Sequence, residues 1–235
     1  MEARILQRDR LSEFLNALIK DHEVIAPRDE LSYGRVESAS EVFFSDGKPA
    51  ESLKEFFLPE REVLFEYHLE GEKTKLVEPP SLGDTLRVIF GARPCDAAAL
   101  PILDKVFTWD YLDSTYLERR NHTVIISLAC DKPAKSCFCV SVGGSPAGTE
   151  GSDLLFTPLT DVYHVQIITE QGKALVEAYE GFFQASDEKQ DRERVSFEEE
   201  AKKKLLKGVD VEGGLEGLVF DNPAWQTITQ QCVDC

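Results

Sequence analysis

The apolar positions of this chain fall into short runs separated by charged and small residues, and their spacing predicts alternating helices and strands. Arg10 to Lys20 places Leu11, Phe14, Leu15 and Leu18 on one face of an amphipathic helix. His22 to Pro27 follows as a short strand. Leu31 to Phe44, small and polar with a terminal apolar pair, reads as a hairpin or extended segment. Glu62 to His68 alternates in the manner of a strand.

Two runs are more continuously apolar. Thr85 to Gly91 is rich in β-branched and apolar residues, as expected of a buried strand. It ends in Ala92-Arg93-Pro94-Cys95-Asp96, where Asp96 is placed to cap a helix over Ala97 to Phe107. Thr123 to Leu128 is the second such run, and it ends in Ala129-Cys130-Asp131. Each strand therefore delivers a Cys-Asp pair at its C-terminal end. Were the two strands parallel in one sheet, both cysteines would emerge at the edge where ligands of α/β sheets usually sit.

Strands are predicted again over Asp153 to Leu159 and Val162 to Thr169, with Gln171-Gly172 ending the second. Ser186 to Lys207 is dense in charge, with Glu198-Glu199-Glu200 ahead of Lys202-Lys203-Lys204, an order that suits a helix dipole and reads as an exposed helix or linker. Gly213, Gly214 and Gly217 punctuate a loop, and Pro223 opens a last helix through Trp225 and Ile228 to Cys232. The fold class expected is α/β: a central sheet with flanking helices and a cysteine loop at the strand C-terminal edge. The divisions expected are an α/β domain over residues 1–182, a charged helix and linker over 183–222, and the start of a ferredoxin-type region over 223–235.

Composition narrows the function. With 42% hydrophobic residues in 235, the chain has material for a sizeable core. No apolar stretch approaches the roughly 18 residues that span a bilayer, and the first ten residues carry charges where a signal peptide needs an apolar run. The expectation is a soluble cytoplasmic protein without membrane contact. Asp and Glu total 43 against 26 Lys and Arg, which argues against a nucleic-acid partner, since phosphates call for a basic surface.

The six cysteines decide more. In a reducing compartment they are not expected to form disulfides, and they gather in three places: Cys95; Cys130, Cys137 and Cys139; Cys232 and Cys235. Clustering of this kind favours a metal or redox centre. Cys130-Asp-Lys-Pro-Ala-Lys-Ser-Cys137-Phe-Cys139 puts three thiols on one turn-forming segment, and Cys95 supplies a fourth. Four thiolates suit an iron–sulfur cluster, 4Fe–4S or 2Fe–2S. They also suit structural zinc, although zinc sites usually show paired Cys-x2-Cys knuckles. Buried or redox thiols are the remaining alternative. The segment Val142 to Gly148 offers small residues and exposed amides able to donate to cluster sulfides, or is an ordinary loop. A catalytic thiol would need an activating base, and only His122 lies near in sequence. Direct nicotinamide binding is disfavoured, because no G-x-G-x-x-G follows a strand. Cys232-Val-Asp-Cys235 matches the opening of a ferredoxin Cys-x2-Cys-x2-Cys-x3-Cys-Pro run at the point where the sequence stops, so the chain reads as truncated.

The run Gly91-Ala-Arg-Pro-Cys95-Asp96-Ala-Ala-Ala-Leu100 resembles the signature G-x-R-P-C-D-x-x-A-L of a known family. Tyr116-Leu117-Glu118-Arg119-Arg120, the strand into Cys130, Cys137-Phe138-Cys139 and Asp153-Leu154-Leu155 match the family's segments downstream of that signature. The family is that of the beta subunits of sulfhydrogenases (sulfur-reducing hydrogenases) and their counterparts, the electron-transfer subunits of anaerobic sulfite reductases. The similarity is strongest from about Val88 to Phe156 and weak over the first eighty residues. The resemblance implies an iron–sulfur electron-transfer protein with no catalytic acid or base. Its partners would be a flavin- and NAD(P)H-binding diaphorase and the catalytic component of a hydrogenase or sulfite reductase. Cys95, Cys130, Cys137 and Cys139 are then the expected ligands of an upstream cluster, and Cys232 and Cys235 the first ligands of an incomplete ferredoxin-type one. Arg93 is expected to pair with Asp96 or to raise the potential of the cluster, Phe138 to shield the cluster, and Trp109, Tyr111 and Tyr116 to serve as core or interface. A zinc-stabilised interaction module without redox role is the competing reading.

Overall fold

The computed structural model describes residues 2–44, 51–71, 73–77, 86–134, 136–205, 210, 213–214 and 219–231. The main sheet has eight strands: β1 (Ala3–Gln7), β2 (Glu23–Pro27), β3 (Tyr33–Arg35), β6 (Arg87–Ala92), β7 (Thr123–Leu128), β8 (Leu154–Pro158), β9 (Val162–Ile167) and β10 (Phe183–Ala185). They lie in the order β10-β1-β9-β8-β7-β6-β2-β3. The four central strands β2, β6, β7 and β8 run parallel, and antiparallel pairs flank them on both sides. The fold class is thus the α/β arrangement expected. A separate antiparallel hairpin joins β4 (Glu66–Glu70) to β5 (Lys73–Val77).

The continuous apolar runs are explained by burial on both faces of the sheet. Alternate residues of a strand point to opposite sides. Val88 and Phe90 of β6, with Val124 and Ile126 of β7, join the core that contains Phe14, Leu15 and Leu18 of α1 (Leu11–Asp21) and Leu175 and Val176 of α5 (Glu170–Ala178). Ile89 and Ala92, with Ile125, join a second core on the other side. That core takes Ala97 from the one-turn α2 (Pro94–Ala97), Leu100 from α3 (Leu100–Val106) and Tyr116 from α4 (Ser114–Asn121), with Leu53 and Phe57 from the preceding loop.

The acidic-to-basic segment is helix α6 (Glu188–Lys204). Asp187 caps it by accepting from the Lys189 and Gln190 amides, and the Asp187 amide donates in return to the Gln190 side chain. The helix is not a free solvated rod. Ala201 is buried, and Phe197 packs against Ala129, Ala147 and Leu155. A last helix, α7 (Ala224–Gln231), follows Pro223. No helix among the described residues is long and apolar enough to cross a membrane.

Candidate functional site

β6 and β7 bring their Cys-Asp pairs to one edge because they are parallel neighbours in register, with Ala92 opposite Ser127. Cys95 and Cys130 each lie three residues beyond that pair. The register is reached through a bulge at Gly91, which is skipped between Phe90 and Ala92. Gly91 has φ +82°, and a Cβ there would stand 3.1 Å from Pro27 Cδ, so the position calls for glycine. Its carbonyl accepts from the buried Tyr33 hydroxyl at 3.2 Å.

Beyond the bulge the expected helix starts earlier than Asp96 would place it. Pro94 opens the turn Pro94–Ala97, and the Asp96 and Ala97 amides bond the Arg93 carbonyl. Asp96 is therefore no cap. It pairs with the Arg93 guanidinium, as the sequence suggests, and Arg93 also donates to the Glu51 carbonyl at 3.2 Å. The pair braces the turn on which Cys95 stands exposed.

The second arm leaves β7 under control of β8. The Ala129 amide donates to the Phe156 carbonyl at 2.9 Å, extending the ladder by one residue, and the Cys130 amide donates to the Pro146 carbonyl at 2.8 Å. Between them the loop closes on itself. The Cys137 amide bonds the Ala134 carbonyl at 3.0 Å, and the Ala134 amide donates to Cys137 Sγ at 3.2 Å. Cys139 opens a short 3-10 turn, Cys139–Val142, which Gly143 ends at φ +79°. The returning arm then lies against the Cys95 turn, since a Cβ on Gly148 would approach Pro94 at 3.9 Å and one on Gly151 would strike the Ala97 carbonyl.

Cys130, Cys137 and Cys139 are electrostatic neighbours. Burial pushes the Cys139 thiol above its ordinary pKa, the charges of Cys130 and Cys137 push the same way, and the Val140 backbone amide opposes them. No disulfide joins the four described cysteines. As donors they fit a soft metal. They are not drawn into a finished cage: among the described residues, no group of three or more His, Cys, Asp or Glu stands close enough to hold a metal ion. Cys232 and Cys235 lie outside the described residues.

No protein-family profile matches the chain. It is 27% identical over 235 residues to sulfhydrogenase 2 subunit beta of Pyrococcus furiosus, an alignment covering 98% of this chain and 68% of that protein. The chain is similar to that sulfhydrogenase beta subunit over nearly its whole length. The match bears out the resemblance carried by the Arg93-Pro94-Cys95-Asp96 and Cys137-Phe138-Cys139 segments, and it extends through the first eighty residues, where the motifs are weak.

Within the fold, the aromatic residues divide. Tyr116 is fully buried and stacks on Phe107 at 4.4 Å. Trp109 and Tyr111 are 82% and 80% exposed, and Phe138 is 55% exposed. Sequence reasoning misses several residues that build the site. Gly151 looks like any loop glycine. Asp153 reads only as the start of a strand, yet its carboxylate accepts from the Ile125 amide at 2.7 Å and from the Thr169 hydroxyl. Ser145, Glu198 and Lys204, which link the loop to α6, give one signal: Phe197 and Ala201 are an apolar pair four apart within a charged helix.

Proposed function

We propose that the chain is an iron–sulfur electron-transfer subunit of a multi-subunit oxidoreductase. It would relay electrons between a flavin- and NAD(P)H-binding diaphorase and the catalytic component of a hydrogenase or a sulfite/sulfur reductase. The observation that carries this reading is that β6 and β7 are parallel neighbours, so the segments bearing Cys95 and Cys130 leave the sheet at the same edge. The relationship to a sulfhydrogenase beta chain supports it independently.

An iron–sulfur cluster held there would supply one-electron redox chemistry. The chain's own contributions are binding and positioning. Cys95, Cys130, Cys137 and Cys139 are the proposed ligands. Arg93 holds the Cys95 turn through Asp96 and Glu51. The Ala134 amide already donates to a ligand sulfur, the kind of contact that tunes potential in such sites. Cys232 and Cys235 are proposed as ligands of a second, ferredoxin-type site.

The β4–β5 hairpin supports a role within a larger assembly. Tyr67 and Leu76 are register partners, and with Phe65 and Leu69 they make an apolar group 59–68% exposed, Leu69 reaching 70%. An isolated two-stranded hairpin is at best marginally stable in water, so an apolar face of this kind suits cover by another protein of the complex.

Protein purified without oxygen should be brown, with about four irons per chain for a 4Fe–4S site. Colourless protein with stoichiometric zinc bound through the same thiols would instead establish the interaction module. Cys137→Ser should abolish the paramagnetic resonance signal of the reduced upstream site, and an unaltered spectrum would remove Cys137 from the ligand set.

A further inference from the structure

Helix α6 meets the cysteine loop near Cys130. Phe197 packs against the small cluster that contains Ala129, the residue before it, and Lys204 Nζ donates to the carbonyl of Asp131, the residue after it, at 3.1 Å. Glu198 Oε1 accepts from the Ser145 hydroxyl at 2.8 Å, while Ser145 Oγ accepts from the Ala147 amide at 3.2 Å. Pro146, between those two, is the residue whose carbonyl receives the Cys130 amide. Lys202 and Arg194 hold the Glu198 carboxylate in place, at 2.7 and 3.3 Å. The far end of the helix is fixed elsewhere, through Asp191 on His164 of β9 at 2.8 Å. The helix is thus anchored at its N-terminal end and lies across the cysteine loop with its C-terminal half.

Its hold on the loop is slight. Most of α6 is charged, and its apolar contribution to the body is chiefly Phe197 and Ala201. Elements with few buried apolar contacts open locally at little cost. A metal bound through Cys130, Cys137 and Cys139 would order the segment that carries them. Two processes that order the same segment favour one another, and the coupling is reciprocal.

We infer that α6 is a clasp whose docking and metal occupancy of the cysteine loop are thermodynamically coupled: loading locks the helix down, and releasing the helix loosens the metal. This rests on the cysteine loop being a metal site. It adds that the retention of metal is governed by Ser145, Glu198 and Lys204, none of which contributes a ligand.

The test uses cobalt(II), added to the whole chain without oxygen and read by its thiolate-to-metal absorption, with hydrogen exchange of α6 followed in the same samples. Loading should slow exchange over residues 194–204 by at least about fivefold, the lower end of ordinary coupling between sites. Glu198→Ala should weaken cobalt binding by a similar factor and erase the exchange difference. Lys204→Ala, at the exposed end of the helix, should do both in part and serves where Glu198→Ala fails to fold. Cobalt binding to the thiols with α6 exchange unchanged would overturn the clasp alone. Failure of wild-type protein to bind cobalt through its thiols would overturn the metal site itself, and the clasp with it.

Discussion

A Cβ on Gly151 would stand 1.9 Å from the carbonyl oxygen of Ala97, so the backbone leading into β8 is in direct contact with the turn that carries Cys95. Gly151 also has φ +73°, a region that side chains other than glycine rarely enter. Contact and conformation together fix the spacing between the two cysteine-bearing arms. Gly151→Ala is expected to cost more than about 2 kcal/mol, combining left-handed strain with a backbone clash. Urea unfolding measures it. A midpoint within error of wild type would show that the two arms can separate.

Asp153 ties three segments together. Its backbone amide donates to the Ile125 carbonyl at 2.9 Å, its carboxylate accepts from the Ile125 amide, and Thr169 donates to it from the start of α5. Burial nevertheless raises its pKa above the usual carboxylate value, against the opposing hydrogen bonds from Thr169 and Ile125. A carboxyl whose pKa is raised by folding contributes its full stability below its unfolded pKa and loses it as pH rises through the folded one. Asp153→Asn keeps the shape and removes the titration. The melting temperature of wild type should therefore fall relative to that of Asp153→Asn as pH goes from about 4 to 7. A pH-independent difference between the two proteins would count against a buried charge at this position.

Tyr116 anchors the second core. It is fully buried, stacks on Phe107, and donates its hydroxyl to Asp104 Oδ1 at 2.6 Å. Arg120 stands 3.4 Å from the same carboxylate, so Asp104 keeps a cation when the hydroxyl is removed. Tyr116→Phe should then cost about 1.5–3 kcal/mol, the range for a hydrogen bond to a charged group. Tyr116→Ala should cost about 3–5 kcal/mol by opening a cavity. Equal losses for the two variants, read by urea unfolding, would mean that the hydroxyl and not the ring holds α4 in place.

What is legible in the sequence follows burial. Thr123 to Leu128 can be placed to the residue because β-branched residues buried on both faces leave an uninterrupted apolar signature. The common edge of Cys95 and Cys130 follows from reading both runs as parallel strands. Elements with a weaker signature escape. β1 is only five residues long and carries Arg4 and Gln7. In α5, Gln171-Gly172 looks like the end of a strand, yet Thr169 caps the helix by accepting from the Gly172 amide at 3.1 Å. Gly172 is there because a Cβ would lie 2.3 Å from the Asp153 carbonyl, a contact between residues far apart in sequence. β5 is hidden by its lysines, and its partner β4 begins at Glu66, later than the alternation from Glu62 suggests. Within the candidate site the cysteines are readable, whereas the close approach of the two arms depends on Gly91 and Gly151, whose neighbours only the fold supplies.

Cys95 offers the sharpest division among the proposed ligands, because it comes from a different strand and stands exposed on its turn. Replacing an exposed side chain away from the core usually changes stability by no more than about 0.5 kcal/mol. Metal-free Cys95→Ser should therefore unfold at the same urea concentration as metal-free wild type. Cys130 is less exposed, but its amide, not its thiol, makes the bond to Pro146, so Cys130→Ser should also fold. After reconstitution with iron and sulfide without oxygen, Cys130→Ser and Cys137→Ser should retain little iron. Cys95→Ser should retain less than wild type and show a changed resonance spectrum, as expected when one of four thiolates is replaced by a harder oxygen donor. Full iron content with an unchanged spectrum in Cys95→Ser would confine the site to the loop after β7 and leave Arg93-Pro94-Cys95-Asp96 a structural turn.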